Sequence, residues 1–230
     1  MGGNLRLRYC KTGKARYISH LDLIATMTRA LLRAGVRLKY SEGFNPHPYL
    51  SVALPLPVGC GSICELMDFS AADGLLPDGI PQLLNKELPE GIEAASAYIP
   101  ERKFNQLAWI GLGGTLYYDS GDPADIAEKL AERFAAKSIV ISKKTKSGAS
   151  EVDIAGYIKD MAFSVAGTLQ SGAEAGAGAV SFSGIVSARE PSISHDNILG
   201  ALCGDYQGLA PDFALFARTE TYDENLEVFR

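Results

Sequence analysis

Three histidines and a scatter of carboxylates bound the chemistry open to this 230-residue chain. His20 and Asp22 lie two apart in Ser19-His20-Leu21-Asp22, and Glu42 and His47 enclose Gly43-Phe44-Asn45-Pro46. Imidazoles and carboxylates within hydrogen-bond reach of a substrate can serve as general acids and bases. The segment carrying the second pair, Ser41-Glu42-Gly43-Phe44-Asn45-Pro46-His47-Pro48-Tyr49, is the most unusual in the chain. Pro46 and Pro48 forbid regular pairing, and each restricts the residue before it to extended conformations. His47 is therefore held between two stiff points. Such a loop is either a rigid hairpin tip or a binding loop that carries polar and aromatic groups on a firm support. The preset direction of His47 favours binding, with Glu42, Asn45 and His47 expected around a shared concavity walled by His20 or Arg16.

Metal and cofactor chemistry find little support. Four cysteines, Cys10, Cys60, Cys64 and Cys203, are too few and too scattered for a disulfide scaffold in a chain of this length. Cys60 and Cys64 are separated by three residues, with no second Cys or His pair at the spacing of a tetrahedral zinc site. There is no tight cysteine triad for an iron–sulfur cluster, so a cluster-bearing radical enzyme is excluded. The Gly-x-x-x-x-Gly-Lys-Ser/Thr frame of a nucleotide loop does not occur, and Gly111-Leu112-Gly113-Gly114 sits in a strand rather than before a helix. No metal and no cofactor is expected.

Charge points elsewhere. The formal net charge is -5, yet the first 50 residues hold nine cations against two anions, a local +7. The other 180 residues hold 13 cations against 25 anions. A basic block on an acidic chain selects polyanions or acidic partners when its cations share a face, and otherwise merely solvates the surface. A second basic segment, Lys143-Lys144-Thr145-Lys146-Ser147-Gly148, suits either a phosphate-contacting turn or an exposed hairpin tip.

The elements that must position these residues follow from periodicity. Leu5, Leu7 and Tyr9 alternate with Arg6, Arg8 and Cys10, which predicts a half-exposed strand with both arginines outward. Ser19 and Asp22 form a capping box that starts a helix ending at Gly35. Leu21, Ile24, Thr28 and Leu31 make its core stripe, and Asp22, Thr26, Arg29 and Arg33 its outer stripe. Strands follow at 36–40, 50–54, 64–69 and 92–99, with a short helix at 80–86. This is the β-α-β-β-α-β order of a ferredoxin-like unit with an extra hairpin arm. The second half repeats it, with strands at 109–118, 139–141, 161–170, 179–188 and 213–219 and helices at 123–136 and 194–201. The expected fold class is α+β, two tandem ferredoxin-like units with antiparallel sheets, divided as 1–102 and 103–230. An apolar fraction of 47% excludes disorder, and no stretch reaches the ~18 apolar residues of a membrane span. The N-terminus has no apolar signal-peptide core, so a cytoplasmic protein is expected.

Four motifs carry a resemblance. Arg16-Tyr17-Ile18-Ser19-His20-Leu21-Asp22-Leu23, Arg29-Ala30-Leu31-Leu32-Arg33-Ala34-Gly35, Tyr40-Ser41-Glu42-Gly43-Phe44-Asn45-Pro46-His47-Pro48 and Leu54-Pro55-Leu56-Pro57-Val58-Gly59 resemble the radical-SAM-linked family of bacterial proteins. Lys144-Thr145-Lys146-Ser147-Gly148 with Val152-Asp153-Ile154 is similar to its second motif, whereas Cys60 and Cys64 depart from the pattern. The resemblance implies a radical SAM protein as partner and a setting near RNA-processing genes.

Two functions fit these observations. One is an RNA-binding or substrate-presenting accessory of a radical SAM enzyme, using Arg16, Arg29, Arg33, Lys39, Phe44, Asn45, Lys144 and Lys146, with Tyr49 as a further stacking ring. The other is an RNA-acting enzyme with His20, Asp22, Glu42 and His47 as its acid–base set. Convergence of His20 and His47 on one cleft would favour the enzyme.

Overall fold

The computed structural model describes residues 4–72, 76–145, 148–167, 178–202 and 208–230. It is a mixed α+β fold with a mostly antiparallel sheet and, among the described residues, four α-helices. Two compact units divide the chain. The first is Met1–Gln106 with Arg218–Glu220 and Val228–Arg230; the second is Leu107–Ala217 with Thr221–Glu227.

The first unit runs β1 (Asn4–Lys11), α1 (His20–Arg33), β2 (Leu50–Val52), β3 (Gly61–Ser70), α2 (Ile80–Leu84) and β4 (Ile92–Tyr98). β1 pairs antiparallel with β3 on one side and β4 on the other, and β2 pairs antiparallel with β3, so the spatial order is β4-β1-β3-β2. Leu5, Leu7 and Tyr9 turn into the core against Leu23, Met27, Ala30 and Leu31 of α1. Each buried Leu or Met of this kind contributes about 1.5–3 kcal/mol. The Ser19 hydroxyl oxygen accepts from the Asp22 amide at 3.2 Å, which starts the helix. Gly35, at φ +82°, ends it in the left-handed region, and the Val36 amide donates back to the Leu31 carbonyl at 2.9 Å.

Three expectations change here. The buried stripe of α1 begins at Leu23, and Leu21 is 78% exposed; the i, i+4, i+7, i+8 series from Leu23 wins because it is the continuous apolar one. Residues 36–40 make only isolated bridges, Leu38 to Ala71 and Tyr40 to Pro48, where a strand was expected. Arg6 does not face outward. It is fully buried, because its face of β1 is covered by Phe104 and Phe229, whose ring centroids lie 4.3 and 5.3 Å from the guanidinium.

The second unit runs β5 (Trp109–Tyr118), α3 (Pro123–Phe134), β6 (Val140–Thr145), β7 (Gly148–Asp153), β8 (Ile158–Val165), β9 (Gly178–Ser187), α4 (His195–Leu202) and β10 (Phe213–Tyr222). Its strand order is β10-β5-β9-β8, with β6 and β7 as a separate antiparallel pair. A run of phenylalanine rings leads from half-buried Phe134 and Phe163 to buried Phe182 and Phe216, with successive centroids 5.4, 6.3 and 5.3 Å apart. Gly114 of β5 has a close approach to make: a Cβ there would collide with the Leu215 carbonyl oxygen of β10. The Val152-Asp153-Ile154 motif ties down the base of the β6–β7 pair. Asp153 Oδ1 accepts from the Ile139 and Ala155 amides at 2.8 and 3.0 Å, and these bonds hold its carboxyl below the usual aspartate range.

Candidate functional site

The arm at 40–49 is built mainly from its backbone. The Ser41 amide donates to the His47 carbonyl and the Tyr49 amide to the Lys39 carbonyl, both at 2.9 Å. Pro46 and Pro48 have no N–H, so His47 carries the one amide donor of that stretch, and it donates to Ser41 Oγ at 3.1 Å. The same hydroxyl lies 2.9 Å from His47 Nδ1. Gly43 turns the tip at φ +117°. With the main chain satisfied in this way, Glu42, Phe44, Asn45 and His47 are all exposed, and Phe44 at 111% projects freely.

Beside the arm opens a pocket of about 310 Å³. His47, Asn4, Ser51, Asp68 and Ser70 supply its polar lining. Pro48, Tyr49, Leu50 and Phe69 supply the rest. The walls interlock through the backbone: the Ser70 amide donates to the Tyr49 carbonyl at 3.0 Å and the Lys39 amide to the Ser70 carbonyl at 2.8 Å. Asp68 is held from behind by Arg6, whose Nε and Nη2 donate to its two carboxylate oxygens at 2.6 and 2.9 Å. Asn4 Oδ1 accepts from the Ser70 hydroxyl at 2.5 Å.

The lining takes in His47 and none of His20, Asp22 and Glu42. His20 begins α1 with its Nδ1 buried and, among the described residues, without a hydrogen-bond partner. The Asp22 carboxylate accepts from the Ser19 hydroxyl at 2.7 Å and belongs to the helix cap. Glu42 and Asn45 are exposed, Arg16 is half-buried, and none of the three lines the pocket.

The basic block is largely committed to the fold. Arg8 pairs with Glu220 at 3.1 Å, and Arg33 of α1 with Glu87 at 2.8 Å. Arg16 Nε donates to the Gly13 carbonyl at 3.1 Å. Lys11 is 1% exposed, and its Nζ donates to the carbonyls of Arg16 and Ile18 at 3.3 and 2.7 Å. Burial pushes its ammonium below the usual lysine range. Arg29 is exposed on α1, and Lys39 is half-buried with its backbone at the pocket wall. Lys144 stands opposite Ala149 in the β6–β7 register, and Lys146 lies outside the described residues.

Sequence reasoning missed a buried polar row in the first unit. Glu65, 1% exposed, accepts from Arg218 Nη1 at 2.7 Å, and Arg218 also donates to the Leu54 carbonyl at 3.1 Å. Tyr9, opposite Glu65 in the β1–β3 register, is fully buried, and that burial raises its phenol well above the ordinary value. The signal was present in the charges within apolar strands, but naming the partners required the register. Cys10 and Cys64 are free thiols, and burial pushes Cys64 up to about 12; Cys203 lies outside the described residues. Among the described residues no group of three His, Cys, Asp or Glu side chains could hold a metal ion, and no helix is long and apolar enough to cross a membrane.

Comparison with curated proteins returns no match. Among solved structures, the chain is similar to an unknown protein from Galdieria sulphuraria, at 14% identity over 88% of this chain and 90% of that one, with a TM-score of 0.26. A likeness at that score carries no argument about fold or function. Residues 4–183 match the family described as uncharacterized protein conserved in bacteria (DUF2344), a description that names neither activity nor partner, and the chain belongs to that family.

Proposed function

We propose that this chain is an RNA-binding, substrate-presenting accessory protein that works beside a radical SAM enzyme in RNA modification or processing. The observation that carries the reading is the arm. Phe44 projects fully into solvent from a hydrogen-bonded loop stiffened by two prolines, with Tyr40 and Tyr49 at 43% and 50% exposure at its base. Exposed aromatic rings on a firm support are what single-stranded RNA stacks upon, at about 1–3 kcal/mol per base. The radical SAM partner comes from the motif resemblance. A cytoplasmic setting accords with the free thiols of Cys10 and Cys64.

The strand orders β4-β1-β3-β2 and β10-β5-β9-β8 support reading each unit as ferredoxin-like, the second with β6–β7 as an insertion. The acid–base alternative has less behind it, since His47 alone of its four residues reaches the pocket.

The test is equilibrium binding of single-stranded RNA to the full chain at ~50 mM salt, where phosphate contacts are strong. Wild type should bind, and Phe44→Ala should weaken binding by about 5-fold or more, the low end of one lost stacking contact. No binding at low salt, or a Phe44→Ala variant that binds as wild type does, overturns the reading.

A further inference from the structure

The pocket beside the arm differs in chemistry from the arm's tip. Its single formal charge, Asp68, is matched by the fully buried Arg6 behind it. A carboxylate offers about four lone-pair sites and Arg6 occupies two, so Asp68 keeps acceptor capacity without net attraction for a cation. Among the described residues no lysine or arginine lines the pocket, so no cationic side chain there favours a phosphate. The Ser41 hydroxyl engages both the His47 amide and Nδ1, which leaves Nε2 as the imidazole's open polar position. Asn4 Oδ1 is engaged by Ser70, which leaves the Asn4 amide N–H groups to donate. Tyr49 adds a half-exposed ring. Neutral donors and acceptors around one aromatic face, in about 310 Å³ at the lower end of small-molecule sites, suit a single planar heterocycle.

We propose that this pocket receives one unstacked nucleobase of the bound RNA, its ring against Tyr49 and an N–H edge toward Asp68. The proposal rests on the RNA-binding reading above and assigns it a base-recognition site separate from the stacking tip. Single-stranded RNA is read in this manner, by splaying a base onto an aromatic side chain and hydrogen-bonding its edge.

The experiment titrates the full chain with free adenosine, guanosine, cytidine and uridine, and separately with ribose and inorganic phosphate, followed by NMR shifts of the arm residues. At least one nucleoside should bind, whereas ribose and phosphate should not. Tyr49→Ala should weaken nucleoside binding at least ~5-fold, the low end of base–aromatic stacking, while Tyr49→Phe retains it. The nucleoside-induced shifts should centre on the lining residues Asn4, His47, Ser51 and Ser70. Ribose or phosphate binding as tightly as nucleosides, no nucleoside binding, or a Tyr49→Ala variant that binds normally overturns the proposal. Nucleoside binding without RNA affinity would sink the RNA reading alone; RNA affinity dependent on Phe44 without nucleoside binding would sink the pocket alone.

Discussion

Strand β1 and the arm at 40–49 belong to the same unit and use their polar side chains in opposite ways. Arg6 and Lys11 of β1 are buried and Arg8 is half-buried, and they are engaged by Asp68, the carbonyls of Arg16 and Ile18, and Glu220 respectively. Glu42, Asn45 and His47 of the arm are exposed, and its hydrogen bonds come from the main chain and Ser41. The contrast separates charge in a sequence from charge on a surface. The local +7 looks like a polyanion site, yet several of its cations are structural. The arm, which carries little net charge, has the side chains the fold does not consume. Functional groups are what remains after the backbone and core have been satisfied.

The largest effect that could break this contrast lies in the buried row. Glu65→Ala leaves the Arg218 guanidinium buried without its carboxylate. Removing one partner of a buried pair costs about 3–5 kcal/mol, which urea denaturation would register as a lower midpoint. A cost below about 1 kcal/mol would mean that the row is solvated and the contrast false. Lys11→Met comes next. It strips two carbonyls of a buried donor and should cost about 1–3 kcal/mol in the same assay.

Alkaline stability sharpens the buried side further. The Cys64 thiol stands at about 12 against a reference of 9.0, so the unfolded chain ionises it first. A raised acid of this kind contributes stability that is present below pH 9.0 and lost as pH rises toward about 12. Thermal melts across that window should fall with pH, and Cys64→Ala should flatten the slope. The smallest effects belong to the arm. Phe44→Ala and His47→Ala should each change unfolding free energy by less than about 0.5 kcal/mol, as exposed substitutions do. A larger loss at His47 would make the arm a folding element.

Much of this architecture was legible because it is local. The strand at 109–118 and the helix from Pro123 follow from alternation, period and the Asp122 cap, whose side chain accepts from the Ala124 amide. The arm announced itself through Pro46-His47-Pro48. What failed was non-local. Alternation groups Arg6 with Arg8 on one face of β1, but Phe104 and Phe229, which cover Arg6, come from distant sequence. The β6–β7 pairing stayed one of two readings because the lysines of β6 suit a phosphate-contacting turn as well as a hairpin. The pocket needed the register of β1 against β3, which brings Asn4 opposite Ser70, and no motif encodes that. Convergence of His20 with His47 was posed as the mark of an enzyme, and the pocket lining takes in His47 without His20.

The most direct test of where this protein meets its ligand is ultraviolet cross-linking of the full chain to single-stranded RNA, with the cross-linked peptides mapped by mass spectrometry. The expected result is cross-links concentrated at Tyr40, Phe44 and Tyr49, abolished at the tip by Phe44→Leu while the fold is unchanged. Cross-links confined to residues 13–33 instead, with the arm unmarked, would return the site to the basic block and contradict the assignment.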